Sequence, residues 1–161
     1  MNTAQYNSCV DQYSDSVYRF ILKNVKDEDK AKDVVQESFT RMWEKVNEIS
    51  YEKARSYLFT TAYHTLIDGF RYDVRNTPYV AEEHENESTG NGYSDLKEVL
   101  NEAVDRLPDI QRSVVLLRDY EGYSYEEIGR ITGLNESQVK VYIYRARVAL
   151  KNYIGSLDVV I

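Results

Sequence analysis

The chain has 161 residues, 42% hydrophobic and 29% charged, with seven Gly and two Pro, which suits one domain or two small ones built from long helices. A single cysteine, Cys9, excludes an intrachain disulfide or a cysteine cluster, and no apolar run reaches the roughly 20 residues that a membrane span needs. The net charge of −7 excludes less than its size suggests, because it is concentrated: residues 77–95 carry five acids (Glu82, Glu83, Glu85, Glu87, Asp95) and no Lys or Arg, whereas residues 1–76 and 96–161 are each at −1 and can hold local basic faces.

Residues 1–10 are polar and lack the apolar core of a signal peptide, which together with the lone cysteine points to a reducing, cytoplasmic setting. Cys9 itself reads as an inert surface or edge residue of this polar stretch. From Tyr13 onward, Val17, Phe20 and Ile21 recur at the three- and four-residue spacing of one helix face. Asp27, Glu28 and Asp29 supply a turn and a helix start, with acids at the positive end of the helix dipole. The helix they open is expected over about 30–46, with Ala31, Val35, Phe39, Met42 and Val46 inward. A third helix is expected over about 51–72, with Ala54, Tyr57, Leu58, Thr61, Ala62, Leu66, Ile67 and Phe70 inward. This stretch mixes rings with Lys53, Arg55, Arg71 and Arg75, a combination that suits the unstacked bases of a single strand, although core packing accounts for some of the rings. With 15 Tyr against four Phe, tyrosine is expected to do packing that Leu or Phe does elsewhere.

Residues 76–94 hold few apolar side chains, two Gly and one Pro, the composition of a linker that buries too little to order itself. Helices are expected next near 96–106 and, with Pro108 in its first turn, over 109–120. Glu121, Gly122 and Tyr123 read as a turn. Ser124 and Glu127 form a capping box for a short helix to Thr132, Gly133 ends it in a left-handed conformation, and Asn135 with Gln138 caps a last helix to about Ile154. Two helices joined by a tight glycine turn make a helix-turn-helix, with Ile128, Ile131, Leu134, Val139, Ile143, Ala146 and Leu150 inward and Gly129 at the close approach. The outward face of the last helix carries Ser137, Val141, Tyr144, Arg145 and Lys151, flanked by Gln138 and Lys140. Such a helix reads base edges from its N-terminal half in the major groove of duplex DNA. Gln138, Lys140 and Arg145 can bond to bases or phosphates, Val141 and Tyr144 can touch thymine methyls, and Arg147, nearer the buried edge, can hold a phosphate or a structural carboxylate. No nucleophile–base arrangement, metal-ligand spacing or phosphate loop is present, His64 and His84 lie in unlike contexts, and no enzyme, metal or cofactor is expected.

Several motifs in this order and spacing carry a family resemblance: Asp33-Val-Val-Gln-Glu-Ser-Phe39 with Met42 and Trp43; Ser56-Tyr-Leu-Phe59 with Asp68 and Arg71; Arg106-Leu-Pro108; Leu117-Arg-Asp-Tyr-Glu-Gly122; Ser124-Tyr-Glu-Glu-Ile128; and Arg145-Ala-Arg147. Over about 13–154 the chain resembles the bacterial RNA polymerase sigma factors of the extracytoplasmic-function group. The resemblance implies an all-α protein with two small helical domains: region 2 over 1–76, an acidic linker over 77–95, and a region 4 helix-turn-helix over 96–161. It implies docking of core RNA polymerase on Asp33, Gln36, Glu37, Thr40, Trp43 and Glu44, a stripe that composition alone reads more readily as an ordinary solvated face. It implies contact with the −10 promoter element through Arg55, Tyr57, Phe59, Tyr63, His64, Arg71 and Arg75. It implies reading of the −35 element by Ser137, Gln138, Lys140, Val141, Tyr144 and Arg145, with Ser124, Tyr125, Arg147 and Lys151 on phosphates. The linker would thread the RNA-exit path of the polymerase, although its charge alone fits a solubilising spacer as well. An anti-sigma factor holds many members of the group and is a further implied partner. The chain departs from the family at Tyr57, where Trp is usual, at Tyr63 and His64, where Arg-Asn is usual, and at Val141, where a polar residue is common. A stand-alone helix-turn-helix regulator and a sigma mimic that only binds other proteins remain alternative readings.

Overall fold

The computed structural model describes residues 1–76 and 94–156, and side chains for residues 1–69 and 95–156. Among them are seven α-helices and no strand: α1 (Thr3–Val25), α2 (Glu28–Glu44), α3 (Ala54–Asn76), α4 (Ser94–Asp105), α5 (Asp109–Val115), α6 (Tyr125–Thr132) and α7 (Glu136–Ser156). A 3-10 turn over Tyr51–Lys53 leads into α3, and a π-helical stretch over Leu116–Tyr120 prolongs α5.

The polar N-terminal stretch is helical. Asn2 and Gln5 form a capping box that starts α1, and the helix carries Cys9 fully into the core rather than leaving it at the surface. Lys26, left-handed at φ 56°, closes α1, and Asp27 then caps α2 by accepting from the backbone of Asp29 and Lys30. A backbone cap at Lys26 and a side-chain cap at Asp27, adjacent in sequence, make the corner that lays α1 against α2. The helix therefore starts and ends two residues before the expected bounds.

In α3 the buried residues are Ala54, Leu58, Phe59, Ala62, Tyr63 and Leu66, whereas Tyr57, Thr61 and Ile67 are half-buried. Phe59 and Tyr63 were expected to meet DNA and lie in the core instead. Phe59 sits between Phe20 of α1 (ring centroids 5.6 Å apart) and Tyr123 (5.5 Å), and is 0% exposed. The cause is tertiary: α6 and the turn before it cover a flank of α3 that a single helical pattern leaves to solvent. Phe70, expected inward, together with Arg71 and Arg75, lies outside the described side chains.

The second half packs α5 and α6 against α7, with Val114, Leu117, Ile128, Ile131, Val139 and Ile143 buried, and α4 closes the other side of α7. These residues join Val17, Phe20, Ile21 and Leu58 in one continuous apolar cluster. Polar groups cross the same junction. Ser113 Oγ donates to the buried Asn24 Oδ1 at 3.0 Å, and the buried Arg112 guanidinium donates to the Asn24 carbonyl at 3.5 Å while it is held within its own half by the Leu107 carbonyl at 2.8 Å. The helix expected to run straight from 109 to 120 instead widens at Leu116, with Glu121 N–H donating to Leu116 O at 3.1 Å.

Candidate nucleic-acid interface

The helix-turn-helix is built as its sequence demands. Ser124 Oγ accepts from Glu127 N–H, and the Glu127 carboxylate accepts from Ser124 N–H, which fixes the start of α6. Gly133 ends α6 at φ 79°. Asn135 and Gln138 repeat the reciprocal pair at the start of α7, at 2.8 and 3.0 Å. At Gly129 an added Cβ would stand 2.8 Å from the Leu134 carbonyl oxygen, so glycine is what lets the turn lie on α6.

These constraints aim α7. Val139, Ile143 and Ala146 face inward and are buried; Ser137, Gln138, Lys140, Val141, Tyr144, Arg145 and Lys151 are exposed. Val141 and Tyr144 are large apolar side chains left 43% and 70% open. The Tyr125 ring lies between two cations, with the Arg118 guanidinium 4.7 Å and Lys140 Nζ 5.8 Å from its centroid. Ser124, Tyr125, Arg118 and Lys140 thus make one basic, hydroxyl-bearing edge beside the N-terminal half of α7; the sequence reading had passed over Arg118. Arg147, implied by the resemblance to lie on a phosphate, donates from its guanidinium to Asp119 at 2.6 Å while staying half exposed, and this bond pushes its pKa up.

On the first half, Asp33, Gln36, Glu37, Thr40, Trp43 and Glu44 are all exposed along one face of α2. Glu37 pairs with Arg41 at 2.7 Å, and Trp43 rests edge-on against Tyr6 at 5.0 Å while staying 47% exposed. His64 is exposed and lines a 480 Å³ cavity between α2 and α3 with Arg41, Glu44 and Tyr57. A second cavity, of 620 Å³, takes Tyr57, Ser50 and Lys53 from the first half and Arg130 from α6.

Arg55 is committed elsewhere. Its Nη2 donates to the Glu121 carbonyl at 2.8 Å and to the Glu121 carboxylate at 3.3 Å, and its guanidinium lies 4.4 Å over the Tyr123 ring. Arg19 of α1 donates to the other oxygen of the same carboxylate at 3.3 Å. Tyr123 is 3% exposed, and its hydroxyl approaches Ser56 without a hydrogen bond of good geometry. Burial pushes its pKa up to about 12. The segment 121–123, read from sequence as a plain turn, is therefore one of the contacts between the halves. No local pattern signals such a pairing, because its partners are 66 and 102 residues away.

Residues 9–76 match Sigma-70 region 2, and residues 97–150 match Sigma-70, region 4. The chain belongs to the sigma-70 family. Within it, this sigma factor falls in the extracytoplasmic-function group. It is 32% identical to the RNA polymerase sigma factor SigV of Bacillus subtilis (strain 168), over 86% of this chain and 84% of the relative. It is 28% identical to the ECF RNA polymerase sigma factor SigM of the same organism, over 86% and 88%. Its fold is shared with the sigma factor RpoE of Bartonella quintana, solved with the anti-sigma factor NepR (TM-score 0.74, 20% identity, 94% of this chain and 98% of the other). CnrH, solved with the cytosolic domain of CnrY, shares it too (TM-score 0.70, 19% identity, 97% and 91%). Among the described residues, no helix of this sigma factor is long and apolar enough to cross a membrane.

Proposed function

We propose that the protein is a promoter-specificity subunit: it binds core RNA polymerase, carries it to a set of promoters and helps open them, without covalent chemistry of its own. The observation that carries this reading is the pairing of two exposed surfaces in one sigma-family chain. The first is the polar face of α2 (Asp33, Gln36, Glu37, Thr40, Trp43, Glu44), which supplies carboxylates and an anchoring ring to a basic partner helix of the polymerase. The second is the outward half of α7 (Ser137, Gln138, Lys140, Val141, Tyr144, Arg145), which supplies donors and apolar contacts to base edges of the −35 element, with Ser124, Tyr125 and Lys151 on its phosphates. Residues 1–76 serve polymerase and the −10 element, where Tyr57 and His64 remain accessible, and residues 96–161 serve the −35 element, each half as one unit. The site of action is the cytoplasm, and an anti-sigma factor of the kind held by the solved relatives is a further partner.

Transcription in vitro tests the reading. The purified protein is mixed with sigma-free bacterial core polymerase and genomic fragments, and transcript starts are mapped. Discrete starts sharing −35 and −10 elements are expected; no starts with folded protein and active core would overturn it.

A further inference from the structure

Elements named −35 and −10 lie roughly 25 base pairs apart, about 85 Å along B-DNA. The helices α3 and α7, of 23 and 21 residues, are each only about 30–35 Å long. With α6 seated on α3, the chain cannot reach both elements, so on the reading proposed above the halves must part on the promoter. Parting strips Glu121 from Arg19 and Arg55, which have no other carboxylate partner among the described residues.

The geometry left behind is specific. Guanidinium groups from two helices each donate to a different oxygen of one anion, at 3.3 Å. A phosphodiester offers the same two-oxygen edge, and guanidinium is the side chain best matched to it. The anion is the buried member, with its side chain 5% exposed, whereas Arg19 and Arg55 stay 58% and 32% open on a surface that solvent and ligand can reach. Two residues after the carboxylate, beyond Gly122 at φ 76°, Tyr123 sets its ring under Arg55 and edge-on to Phe59. A carboxylate followed by a flat ring has the chemistry of a phosphate followed by a base.

We propose that Arg19 and Arg55, backed by Phe59, form a binding site for one phosphate and its neighbouring base in single-stranded promoter DNA, and that Glu121 and Tyr123 occupy this site in the packed chain. Arg19 is thereby a DNA-contacting residue of the first half, and the 121–123 turn is its competitor.

The test uses the full chain and a fluorescent 12-nucleotide single strand, read by anisotropy across a salt series. Glu121→Gln keeps the volume of the side chain and removes its charge; binding should tighten about 5- to 10-fold, with a log–log salt slope steeper by about 0.7 for the added phosphate. Glu121→Ala gives a second reading should the glutamine variant fold poorly. In the Glu121→Gln background, Arg19→Ala, at an exposed position, should cancel the gain. No tightening, a gain that survives Arg19→Ala, or an equal gain for duplex DNA would each overturn the proposal. The same proteins are assayed for promoter starts with core polymerase. Normal starts without the oligonucleotide effect sink this site alone, whereas absent starts from the unaltered protein sink the sigma-factor reading beneath it.

Discussion

Gly129 shows how narrow the tolerances are. A methyl group there would enter the 2.8 Å gap to the Leu134 carbonyl, a backbone atom that cannot swing aside. Alanine gains up to about 1 kcal/mol of helix propensity, but crowding a packed turn costs about 1–3 kcal/mol, so the clash wins. Gly129→Ala is expected to lower stability by about 1–2 kcal/mol in urea unfolding; an unchanged midpoint would mean that α6 and the turn can move apart. On the outward side, Lys140→Ala and Arg145→Ala each remove a donor from an exposed position and leave the core intact. Each should weaken −35 binding by about 1–3 kcal/mol if it touches a base, measured by footprinting of the holoenzyme, with unchanged melting. A footprint as strong as the parent's removes that residue from the reading surface. The outward face of α7 was legible because caps and apolar spacing fix the rotation of one helix. Phe59, Tyr63 and Cys9 were misplaced because an aromatic or small apolar residue on a mixed helix has no local mark that tells base contact, surface and core apart.

Among the elements, α2 was legible in facing and, to within two residues at each end, in position. Its outward stripe depends only on helical period, and its start depends on Asp27. Glu37→Arg breaks an exposed pair with Arg41, and such pairs contribute at most about 1 kcal/mol. The variant should stay folded yet lose polymerase in co-elution. Normal co-elution would count against the α2 face as the docking surface. The 121–123 turn has its own signature in pH. Tyr123 titrates at about 12 against an ordinary 10, chiefly because it is buried, with Arg55 opposing the rise and Glu121 and Glu127 adding to it. A raised pKa means that the neutral hydroxyl is the favoured form in the folded chain. Its share of stability is thus complete below pH 10 and is lost as pH climbs from 10 through 12, on the order of 2–3 kcal/mol. Tyr123→Phe should remove that part of the alkaline loss. At neutral pH it should cost nothing and gain up to about 1 kcal/mol, because the hydroxyl lacks a good partner. Superimposable alkaline melting curves for the two proteins would show that Tyr123 is not buried in solution.

At the scale of the molecule, the sequence displayed two helical halves and an acidic stretch between them, but not the face on which they meet. That face rests on Phe59 with Tyr123, Asn24 with Ser113, and Glu121 with Arg19 and Arg55, pairs far apart in the chain. Each member looks ordinary within its own helix. The single apolar cluster running through both halves also bears on how the protein is made. A ribosome adds about 5–20 residues per second, so Tyr123 follows Phe59 after several seconds. For that interval α1 to α3 stand in the cell without their cover, with Phe59 open along one flank and Arg19 and Arg55 unneutralised beside it. The nascent first half is thus a sticky, locally cationic body before it is half of a quiet one.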